Sequence, residues 1–591
     1  MLNNNQQKAV DSNSHRILCL AGAGTGKTKT LVSRVDRLLN SGVLAENILC
    51  LTFTRLAGLE MKTRLGEKGK DVFINTFHSF CLKIIKDNLN LFGLSEDFDI
   101  ISQEERSVLI KQAIKELNLE KEKIKETDII NVINSIEEVD DLNVKLKRAR
   151  LVAKTYKYML RSNNSIDLDL IIIETIIKLK ENEELRLQYH NQYKYIFVDE
   201  FQDTDDYQTY FLNLINPENL FVVGDDYQAI YGFRGTKVQY IIDLSQNKEY
   251  EQIKLVDNYR STDKIVEAAN NLISYNVVKT EKDLIAQKDG EEVSFFECNF
   301  YENEIEEIVK IINKSNKPLQ DYCIITRTNS QIAKAIPILK KNKIPVQLLG
   351  AKITSLESKE TLDLIDLIKL SKFTDKDILL SYFLKKEIPE NKMEEYKIQA
   401  LKENKSLFEI IKDKEFDIVE CIKEIQIKNL YSYSLVDCLN GLKKINYINK
   451  IFSMENLLKL INFAINWEKV MKRNNQGYLF EDFLSWFQTK DNSDIQEVIN
   501  EMQGEGIKIS TAHSSKGLEF PIVFLVGMNE GLFPHKRDEL EESRRLCYVA
   551  ITRAKEKLYV SWSKKEIESW SKKEKNTQPS RFIKEMKSHN V

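Results

Sequence analysis

The sequence predicts an α/β protein in which two blocks with parallel sheets are each interrupted by a mainly α-helical insertion. Apolar strand signals alternate with helical periodicity from residue 17 to about 75, and this pattern resumes near 195. Between them, from about 80 to 190, lies a stretch rich in Lys, Glu, Leu and Ile with apolar residues at helical spacing. A second alternating block begins near 261 and contains another helical region from about 356 to 498. Alternating strands and helices imply parallel sheets, so this order predicts two nested domains.

Each predicted strand is a short, mostly apolar run. In the first block the runs lie at 17–20, 195–198, 220–223 and 253–256. In the second block they lie at 292–297, 322–326, 346–349, 507–510, 522–525 and 558–560. The predicted ranges are 1–79 and 191–260 for the first domain, 80–190 for its insertion, 261–355 and 501–591 for the second domain, and 356–500 for the second insertion.

A phosphate-binding loop follows the first strand, because residues 21–28 read AGAGTGKT. A strand that ends in such a loop and continues into a helix aims several backbone N–H groups at one anion. Lys27 can reach the β- and γ-phosphates of a nucleotide, and the Thr28 hydroxyl can ligate Mg²⁺. The strict pattern begins with Gly, whereas this chain has Ala21, and the alternative interpretation is a glycine-rich turn with a chance lysine. We therefore expect the chain to bind a nucleoside triphosphate.

Two further strand ends carry residues suited to phosphate chemistry. Asp199 and Glu200 follow the strand at 195–198, and such a pair can divide the work between holding Mg²⁺ and polarising the attacking water. Gln228 follows the strand at 220–223, where its amide can sense the γ-phosphate. An isolated acidic cluster is usually a solvated loop, but three such strand ends in one chain favour a nucleotide site.

Two arginines complete the predicted site. Arg260 follows the strand at 253–256, and Arg553 lies near the far end of the chain. Arginines supplied from a second surface stabilise the charge that develops on the γ-phosphate oxygens during phosphoryl transfer. Most arginines are solvated surface groups, so neither of them would be informative alone.

Taken together, these residues resemble superfamily 1 DNA helicases of the UvrD, Rep and PcrA type. Residues 2–10 (LNNNQQKAV) are similar to the family's adenine-reading motif, and 52–54 (TFT) and 76–79 (TFHS) to its early DNA-contacting motifs. The third motif is matched by 224–235 (GDDYQAIYGFRG), the fourth by 258–262 (NYRST), the fifth by 510–520 (STAHSSKGLEF) and the sixth by 544–554 (RRLCYVAITRA). Their order and spacing also follow the family.

The resemblance implies two RecA-like P-loop domains that hydrolyse ATP with Mg²⁺ in the cleft between them and move 3′→5′ on single-stranded DNA. The catalytic residues that it implies are Lys27, Asp199, Glu200, Gln228, Arg260 and Arg553, with Thr28 and Asp199 on the metal. The implied ATP-binding residues are Gln6, Ala21, Gly22, Ala23, Gly24, Thr25, Gly26, Lys27, Thr28, Thr30, Tyr259, Arg260, Glu519 and Arg553. Among these, Gln6 would read the adenine, Tyr259 would stack on it and Glu519 would contact the ribose.

The same resemblance implies a path for single-stranded DNA. The implied DNA-contacting residues are Phe53, Thr54, His78, Tyr231, Phe233, Arg234 and His513. Aromatic rings in this set make physical sense, because they can stack on unpaired bases of any sequence.

Five positions depart from the family pattern. Arg55 and Leu56 stand where Asn and Lys are usual, and Phe233 replaces a common Trp. Tyr227 occupies a position that is often acidic or Ala, and Ser543 one that is often Glu. None of these departures removes a predicted catalytic group.

Composition limits the class of protein. The chain has 591 residues, of which 42% are apolar, and this indicates several globular domains. Its net charge of −3 argues against a protein that coats duplex DNA by bulk electrostatic attraction. A helicase needs only a local basic groove. Its eight cysteines include no CxxC pair, so no zinc or iron–sulfur site is expected, and free thiols suit a reducing cytoplasm. No secretory signal or membrane-spanning stretch is visible, and no membrane partner is expected.

The sequence leaves several alternatives open. A translocase that strips proteins from single strands but unwinds poorly alone would share every motif. An ATP-gated DNA-binding subunit that needs a nuclease or repair partner belongs to another class, which intact Glu200 and Arg553 do not exclude. A 5′→3′ motor, a nucleotide kinase or a GTPase is disfavoured by the motif set. DNA repair, recombination and phage defence are candidate pathways, while the preferred DNA structure and the oligomeric state stay open.

Overall fold

The computed structural model of the chain describes residues 2–96, 98–101, 103–122, 124–133, 144–349, 358–489, 492–503, 505–567 and 573–587. Contacts between Cα atoms divide the chain into two compact units. The first unit, which we call the α/β unit, comprises Met1–Phe80, Leu179–Ala351 and Gln503–Val591. The second, the helical unit, comprises Cys81–Lys178 and Lys352–Met502. The six domain ranges given above stay predictions, and the predicted boundary at 355/356 lies outside the described residues.

Within the described residues, the strands are β1 (Arg16–Ala21), β2 (Ile48–Thr52), β3 (Phe73–Thr76), β4 (Asp99–Ile101), β5 (Ser165–Asp167), β6 (Tyr195–Val198), β7 (Asn219–Gly224), β8 (Glu251–Leu255), β9 (Asp257–Asn258), β10 (Ile285–Ala286), β11 (Ser294–Cys298), β12 (Tyr322–Thr326), β13 (Val346–Leu348), β14 (Ile507–Thr511), β15 (Phe520–Leu525), β16 (Ala554–Ser563), β17 (Lys565–Ile567) and β18 (Glu574–Asn576).

The α-helices of the same residues are α1 (Asn4–Asp11), α2 (Lys27–Asn40), α3 (Arg55–Leu65), α4 (Phe77–Asp87), α5 (Leu89–Phe92), α6 (Gln103–Glu116), α7 (Glu126–Ile133), α8 (Val144–Ser162), α9 (Leu170–Glu181), α10 (Glu183–Gln192), α11 (Asp206–Ile215), α12 (Gln239–Gln246), α13 (Asp263–Ser274), α14 (Tyr301–Lys314), α15 (Asn329–Lys341), α16 (Lys359–Lys372), α17 (Asp377–Leu384), α18 (Glu390–Glu403), α19 (Leu407–Ile411), α20 (Asp417–Ile427), α21 (Leu435–Leu442), α22 (Asn446–Ile451), α23 (Met454–Arg473), α24 (Phe480–Thr489), α25 (Asn492–Gln503), α26 (Leu540–Ile551) and α27 (Arg581–Lys587).

The first sheet of the α/β unit has six strands in the order β3-β2-β6-β7-β1-β8, and every neighbouring pair is parallel. Its central strands are buried on both faces, which explains their continuous apolar sequences. Because parallel strands all end at one edge, the loops that follow β1, β2, β6 and β7 emerge side by side. This carboxyl edge therefore gathers the segments that the sequence predicted for phosphate and DNA contact.

The second sheet also has six strands, in the order β11-β16-β15-β12-β14-β13, and all its pairs are parallel. Residues 512–519 run from the carboxyl end of β14 back to the amino end of β15. Arg553 directly precedes β16, so it lies at the amino edge of this sheet. The fold class is confirmed: the chain is α/β, with two parallel sheets consistent with two RecA-like domains.

The helical unit has a core of its own. Leu367, Phe383, Ile422, Leu439 and Trp467 are each fully buried within one continuous apolar cluster that the helices from α16 to α25 build. Helices α6, α7 and α8 pack together in the Cys81–Lys178 part of the same unit. This unit accounts for the long helical periodicity in both predicted insertions.

Several strands differ from the sequence prediction. The strand predicted at 558–560 is β16, which begins at Ala554, because the charged residues Lys555, Glu556 and Lys557 follow Ala554 and its first half therefore lacks an apolar run. The pair β4–β5 lies inside the first predicted helical stretch, and three-residue strands are too short to give a pattern. The antiparallel pair β17–β18 follows the last predicted strand. No described helix has the length and apolar character that crossing a membrane requires.

Candidate nucleotide site and single-strand path

The phosphate loop connects β1 to α2, and two of its glycines require their special backbone. Gly24 has φ +69° and Gly26 has φ +80°, values that side chains disfavour. A Cβ on Gly24 would lie 2.6 Å from Cβ of Arg260, and one on Gly26 would lie 2.8 Å from Nε2 of Gln6. The loop therefore has no room for larger residues, and Arg260 and Gln6 lie directly against it.

Lys27 begins α2 and is held by the carboxylate of Glu200. Its ammonium group lies 3.2 Å from both carboxylate oxygens of Glu200. Burial acts to raise the pKa of Glu200, but Lys27 and Lys516 outweigh burial and lower it. Burial and the neighbouring Glu200 raise the pKa of Asp199. Adjacent carboxyl groups whose pKa values are pushed apart are typical of sites that divide acid–base and metal-binding roles.

Gln228 joins the first sheet to the second sheet. Its amide Nε2 donates to Oδ2 of Asp225 at 2.5 Å, and its Oε1 lies 3.5 Å from Nη2 of Arg553. Lys516 makes a second bridge, since its ammonium donates to Asp203 at 2.5 Å and to the backbone carbonyl of Gln228 at 2.8 Å. The predicted sensor and the predicted arginine are therefore brought together.

The two predicted arginines are arranged in a way that suits an anion. Arg553 is 1% exposed, and burial, aided by repulsion from Arg260, lowers its pKa to about 9. Arg260 donates from Nε to Glu519 at 2.8 Å. Two cationic side chains held near each other beside a glycine-rich loop fit the phosphates of a nucleotide, whose charge would offset their repulsion.

The side chains predicted for the adenosine part of the nucleotide are already partnered with protein groups. Gln6 donates to the carbonyl of Thr25 at 2.9 Å and accepts from the N–H of Asn3 at 3.0 Å, which leaves one donor and one acceptor site free on its amide. The Tyr259 hydroxyl accepts from the Asn3 amide at 2.8 Å, and the ring is 42% exposed. Glu519 pairs with both Arg260 and Lys555. An exposed ring beside the loop has a free face for a base.

The predicted Mg²⁺ ligands are Thr28, in the first turn of α2, and Asp199, after β6. Among the described residues, no group of three or more His, Cys, Asp or Glu side chains could hold a metal ion. Mg²⁺ characteristically keeps several waters and binds through one or two protein oxygens together with phosphates. A single hydroxyl and a single buried carboxylate beside a phosphate loop fit that mode of binding.

The remaining loop residues support its shape. Thr25 donates to the carbonyl of Gly22 at 2.9 Å, and Thr30 donates to that of Gly26 at 3.0 Å. Asn258 donates from its amide to the carbonyl of Ala23 at 2.7 Å. Ala21 is fully buried at the end of β1, which explains how the sequence tolerates Ala there.

Four predicted DNA-contacting rings form one continuous row. Phe53 stacks on Tyr231 with centroids 5.4 Å apart, Phe233 meets Tyr231 edge-on at 6.1 Å, and His513 meets Phe233 at 5.7 Å. Phe233 is 68% exposed. Burial, followed by Arg327, lowers the pKa of His513 to about 4, so its imidazole is neutral at pH 7. Neutral, partly exposed rings in a row are suited to stacking on bases.

The other predicted DNA contacts lie around this row or apart from it. The guanidinium of Arg234 lies 5.2 Å from the Tyr231 ring and 5.7 Å from the Phe233 ring. Thr54 follows Phe53 and caps α3 by accepting from the N–H of Ala57 at 3.2 Å. His78 lies on α4, where its side chain is exposed.

Sequence reasoning missed several residues that hold the site together. Lys516 lies within the fifth motif, and its place in a Ser-Ser-Lys-Gly turn is the local signal that could have found it. Glu542 accepts from the N–H of Gly232 at 3.0 Å, next to Phe233. Lys282 pairs with Asp225 and Asp226, and nothing in its local sequence marks it.

The two parallel sheets and the phosphate loop define a P-loop nucleotide-binding protein of the α/β class. Comparison with known families is more specific. The model of the UvrD/REP helicase N-terminal domain matches residues 2–249, and that of the UvrD-like helicase C-terminal domain matches residues 253–565. The chain therefore belongs to the UvrD/Rep family of ATP-dependent DNA helicases, which confirms the family that the motifs indicated.

Curated relatives agree with this assignment along almost the whole chain. An ATP-dependent DNA helicase PcrA of Staphylococcus epidermidis is 31% identical over 647 aligned residues, which cover 99% of this chain and 86% of the relative. The ATP-dependent DNA helicase PcrA of Staphylococcus aureus is 31% identical over 643 residues with the same coverage.

Proposed function

We propose that this chain is a cytoplasmic DNA-dependent ATPase that moves 3′→5′ along single-stranded DNA and separates the strands of a duplex ahead of it. The observation that carries the proposal is the contact between Gln228 and Arg553, which joins the two sheets beside the phosphate loop. A nucleotide in this position would alter both partners, so its hydrolysis can change how the sheets are held together.

In this proposal the phosphate loop and Lys27 bind the ATP phosphates, and Thr28 and Asp199 hold Mg²⁺, which neutralises phosphate charge when bound. In the structure, the Lys27 ammonium pairs with the carboxylate of Glu200. Transfer of Lys27 onto a phosphate would remove the main cation that lowers the pKa of Glu200. Glu200 would then become a stronger base toward the attacking water.

The two arginines supply positive charge from outside the loop. Arg260 lies against Gly24, and Arg553 reaches Gln228 from the amino edge of the second sheet. Both would stabilise the charge on the γ-phosphate oxygens, and Arg553 would lose this anionic partner after hydrolysis. Loss of that contact weakens the attachment between the sheets, which is the change a stepping motor requires.

The row of rings from Phe53 to His513 would hold the single strand. Stacking is independent of base sequence, so a motor can grip any strand and release it again. The row includes side chains from both sheets, with Tyr231 and Phe233 after β7 and His513 after β14. A change in the contacts between the two sheets would therefore change the distances between the rings that hold the single strand.

The test compares ATP hydrolysis with and without single-stranded DNA, together with unwinding of 3′-tailed and 5′-tailed duplexes. We expect DNA to stimulate turnover strongly and only the 3′-tailed duplex to be unwound. Glu200→Gln should reduce turnover by about 10²- to 10⁴-fold, because the general base is lost. The matched control is Glu218→Gln, which neutralises an exposed carboxylate in the turn before β7 and should leave turnover unchanged.

Each other outcome identifies a different function. Stimulated hydrolysis without strand separation would indicate a translocase that needs a partner such as a nuclease or repair protein. Unwinding of the 5′-tailed duplex alone would reverse the proposed direction. Turnover that DNA does not change would contradict the motor and favour an ATP-gated DNA-binding subunit.

A further inference from the structure

Residues 276–284, which follow α13, form a segment that we call the connector. It contacts three parts of the nucleotide site that are distant in sequence: the sixth-motif helix α26, the third motif after β7, and the phosphate loop. Its contacts are mainly hydrogen bonds and ion pairs, and those of Thr280 and Lys282 are between buried groups, so they are specific in geometry.

The start of the connector is held by α26. Glu541 accepts from the N–H groups of Val277 at 2.7 Å and Val278 at 3.2 Å. Arg545 donates to the carbonyl of Val278 at 2.7 Å, and Arg544 donates to the Asn276 side chain at 2.6 Å. The helix that leads to Arg553 is therefore attached to the connector by three charged side chains.

The middle of the connector is held by the third motif. Lys282 has a fully buried side chain, which pairs with Asp225 at 3.0 Å and more closely with Asp226. Asp226 also accepts from the N–H and the hydroxyl of Thr280 at 2.7 and 2.6 Å. A buried ammonium between two buried carboxylates strongly fixes the position of each, because leaving any of them unpaired is costly.

Tyr227, one of the departures from the family pattern, completes this arrangement. The Lys282 ammonium lies 3.7 Å from the centroid of the Tyr227 ring, a cation–π contact. The Tyr227 hydroxyl donates to the carbonyls of Thr280 at 2.7 Å and Lys282 at 3.0 Å, and its ring meets Tyr548 of α26 edge-on at 5.5 Å. An acidic residue or Ala at this position could not make these contacts.

The end of the connector reaches the phosphate loop. A Cβ on Gly22 would lie 2.1 Å from Cδ2 of Leu284, so the leucine packs directly on the loop backbone. Asp225, which Lys282 holds, also accepts from the Gln228 amide at 2.5 Å. The same Lys282 ion pair therefore determines where the donor of the predicted γ-phosphate sensor is anchored.

We propose that Lys282 is a positioning residue: through Asp225 it orients the Gln228 amide, and through the connector it couples that amide to α26 and Arg553. This inference rests on the proposed ATP-driven motor and adds a residue and a route that the motifs do not contain. Movement of α26 would pull the connector, shift Lys282 and thereby change the anchor of Gln228. Lys282 touches neither nucleotide nor DNA in this scheme.

The test uses the intact chain carrying Lys282→Met together with Asp226→Asn. The pair of substitutions removes one positive and one negative charge, so the buried group keeps its net charge, and only the carboxylate of Asp225 loses its cationic partner instead of two carboxylates. The measurements are kcat and KM for ATP with saturating oligo(dT), and the Kd of oligo(dT) with and without a non-hydrolysable ATP analogue. The matched control is Lys279→Met, a connector lysine whose partner Glu281 is on the surface.

We expect the double variant to keep its KM for ATP and its nucleotide-free Kd for oligo(dT) within about threefold, while kcat falls at least about tenfold, because a preorganised donor is displaced. The effect of the ATP analogue on the Kd should disappear. Lys279→Met should match the wild type in every measurement. A melting curve like that of the wild type establishes that the double variant is folded.

Gln228→Ala then distinguishes positioning from a general structural effect. If Lys282 acts through Gln228, adding Gln228→Ala to the double variant should cause little further loss, whereas independent effects would multiply. Multiplying losses, or a folded double variant with kcat and DNA coupling within twofold of the wild type, would overturn the proposal. A wild-type chain without DNA-stimulated turnover would instead contradict the motor itself.

Discussion

The two six-stranded sheets have the same architecture but contribute to the site through opposite edges. The first sheet presents its carboxyl edge, where the phosphate loop, Asp199 and Glu200 follow β1 and β6. The second sheet presents its amino edge to the same place, with Glu519 before β15 and Arg553 before β16. Charge differs as well, since the first sheet supplies the buried acidic residues and the second sheet supplies Lys516 and Arg553.

This difference shows why the site needs both sheets. A carboxyl edge collects loops and a helix N-terminus, which are suited to binding phosphate and metal. An amino edge has no such helix end pointing at it, so its contribution comes from single side chains that can be moved onto or away from the nucleotide. We therefore propose that the first sheet binds the nucleotide and that side chains of the second sheet act as the switch.

The largest expected effect tests this division at Arg553. Arg553→Ala should lower kcat of DNA-stimulated ATP hydrolysis about 10³-fold, because arginines of this kind supply that much transition-state stabilisation. The KM for ATP should change only a few-fold, since the phosphate loop is unchanged. Steady-state kinetics with saturating oligo(dT) measures both constants.

The control for this prediction is Arg581→Ala. It removes an exposed arginine at the start of α27, which is paired with Glu530. Its kcat should equal that of the wild type. If Arg553→Ala kept turnover within tenfold of the wild type, the second sheet would not supply the catalytic charge and the division between the sheets would be wrong.

The carboxyl-edge residues of the site were easier to predict from the sequence than the amino-edge residues. Loops at carboxyl edges come directly after apolar strands, so Lys27, Asp199 and Glu200 could be found from local pattern alone. The amino-edge residue Arg553 precedes a strand whose first half is charged, so its local pattern alone is uninformative and its prediction depended on the other motifs. Its placement against Gln228 depends on residues 325 positions apart.

Sequence reasoning missed the roles of Lys282 and Lys516. Lys282 and Lys516 are two of 87 basic residues, and their acidic partners lie 56 and 313 positions away. A charged residue in a sequence normally indicates a solvated surface, because burial of an unpaired charge is costly. Only the folded chain shows that both charges are paired inside the site.

A second prediction concerns buried carboxylates, which the two sheets treat differently. Asp199, which follows β6 of the first sheet, has a nearby cation, Lys27, that lowers its pKa. Cations are not among the causes that shift the pKa of Glu304, which lies on α14. Glu304 accepts from the N–H of Gly527 at 2.8 Å and from the Ser561 hydroxyl at 2.5 Å. Burial raises the pKa of Glu304 to about 7.

The sign of the pH effect follows from this raised pKa. The folded chain holds the Glu304 proton up to about pH 7, whereas the unfolded chain releases it near its ordinary pKa of 4.5. Stability from this group is therefore complete below pH 4.5 and is lost as the pH rises to 7. Because one pKa unit corresponds to about 1.4 kcal/mol, the rise from 4.5 to about 7 corresponds to a loss of about 3–4 kcal/mol.

Glu304→Gln removes this titration, so the stability of the variant relative to the wild type should be about 3 kcal/mol higher at pH 8 than at pH 4.5. Urea unfolding of both proteins at the two pH values measures the difference. Glu306→Gln, at an exposed position of the same helix α14, should show no such pH dependence. Equal differences at both pH values would mean that Glu304 is not the uncompensated carboxylate of the second sheet.

The smallest expected effect concerns DNA, for which both sheets contribute rings through their carboxyl edges. Phe233, after β7, is the most exposed member of the row and meets His513, after β14. Phe233→Ala should weaken oligo(dT) binding by about 1–2 kcal/mol, or roughly five- to thirtyfold in Kd, because one stacked base loses its partner. Fluorescence anisotropy without nucleotide measures this change.

Phe233→Trp provides the sharper comparison, since a larger ring should bind oligo(dT) at least as tightly as the wild type. Tyr158→Ala, which removes a ring of similar exposure (73%) from the helical unit, should leave the Kd for a short oligo(dT) unchanged. ATP hydrolysis without DNA should be unaffected in all three variants, because the row does not touch the phosphate loop. If Phe233→Ala instead lowered DNA-free hydrolysis and left the Kd intact, the ring would support the nucleotide site, and the two uses of the first sheet's carboxyl edge would not be separable.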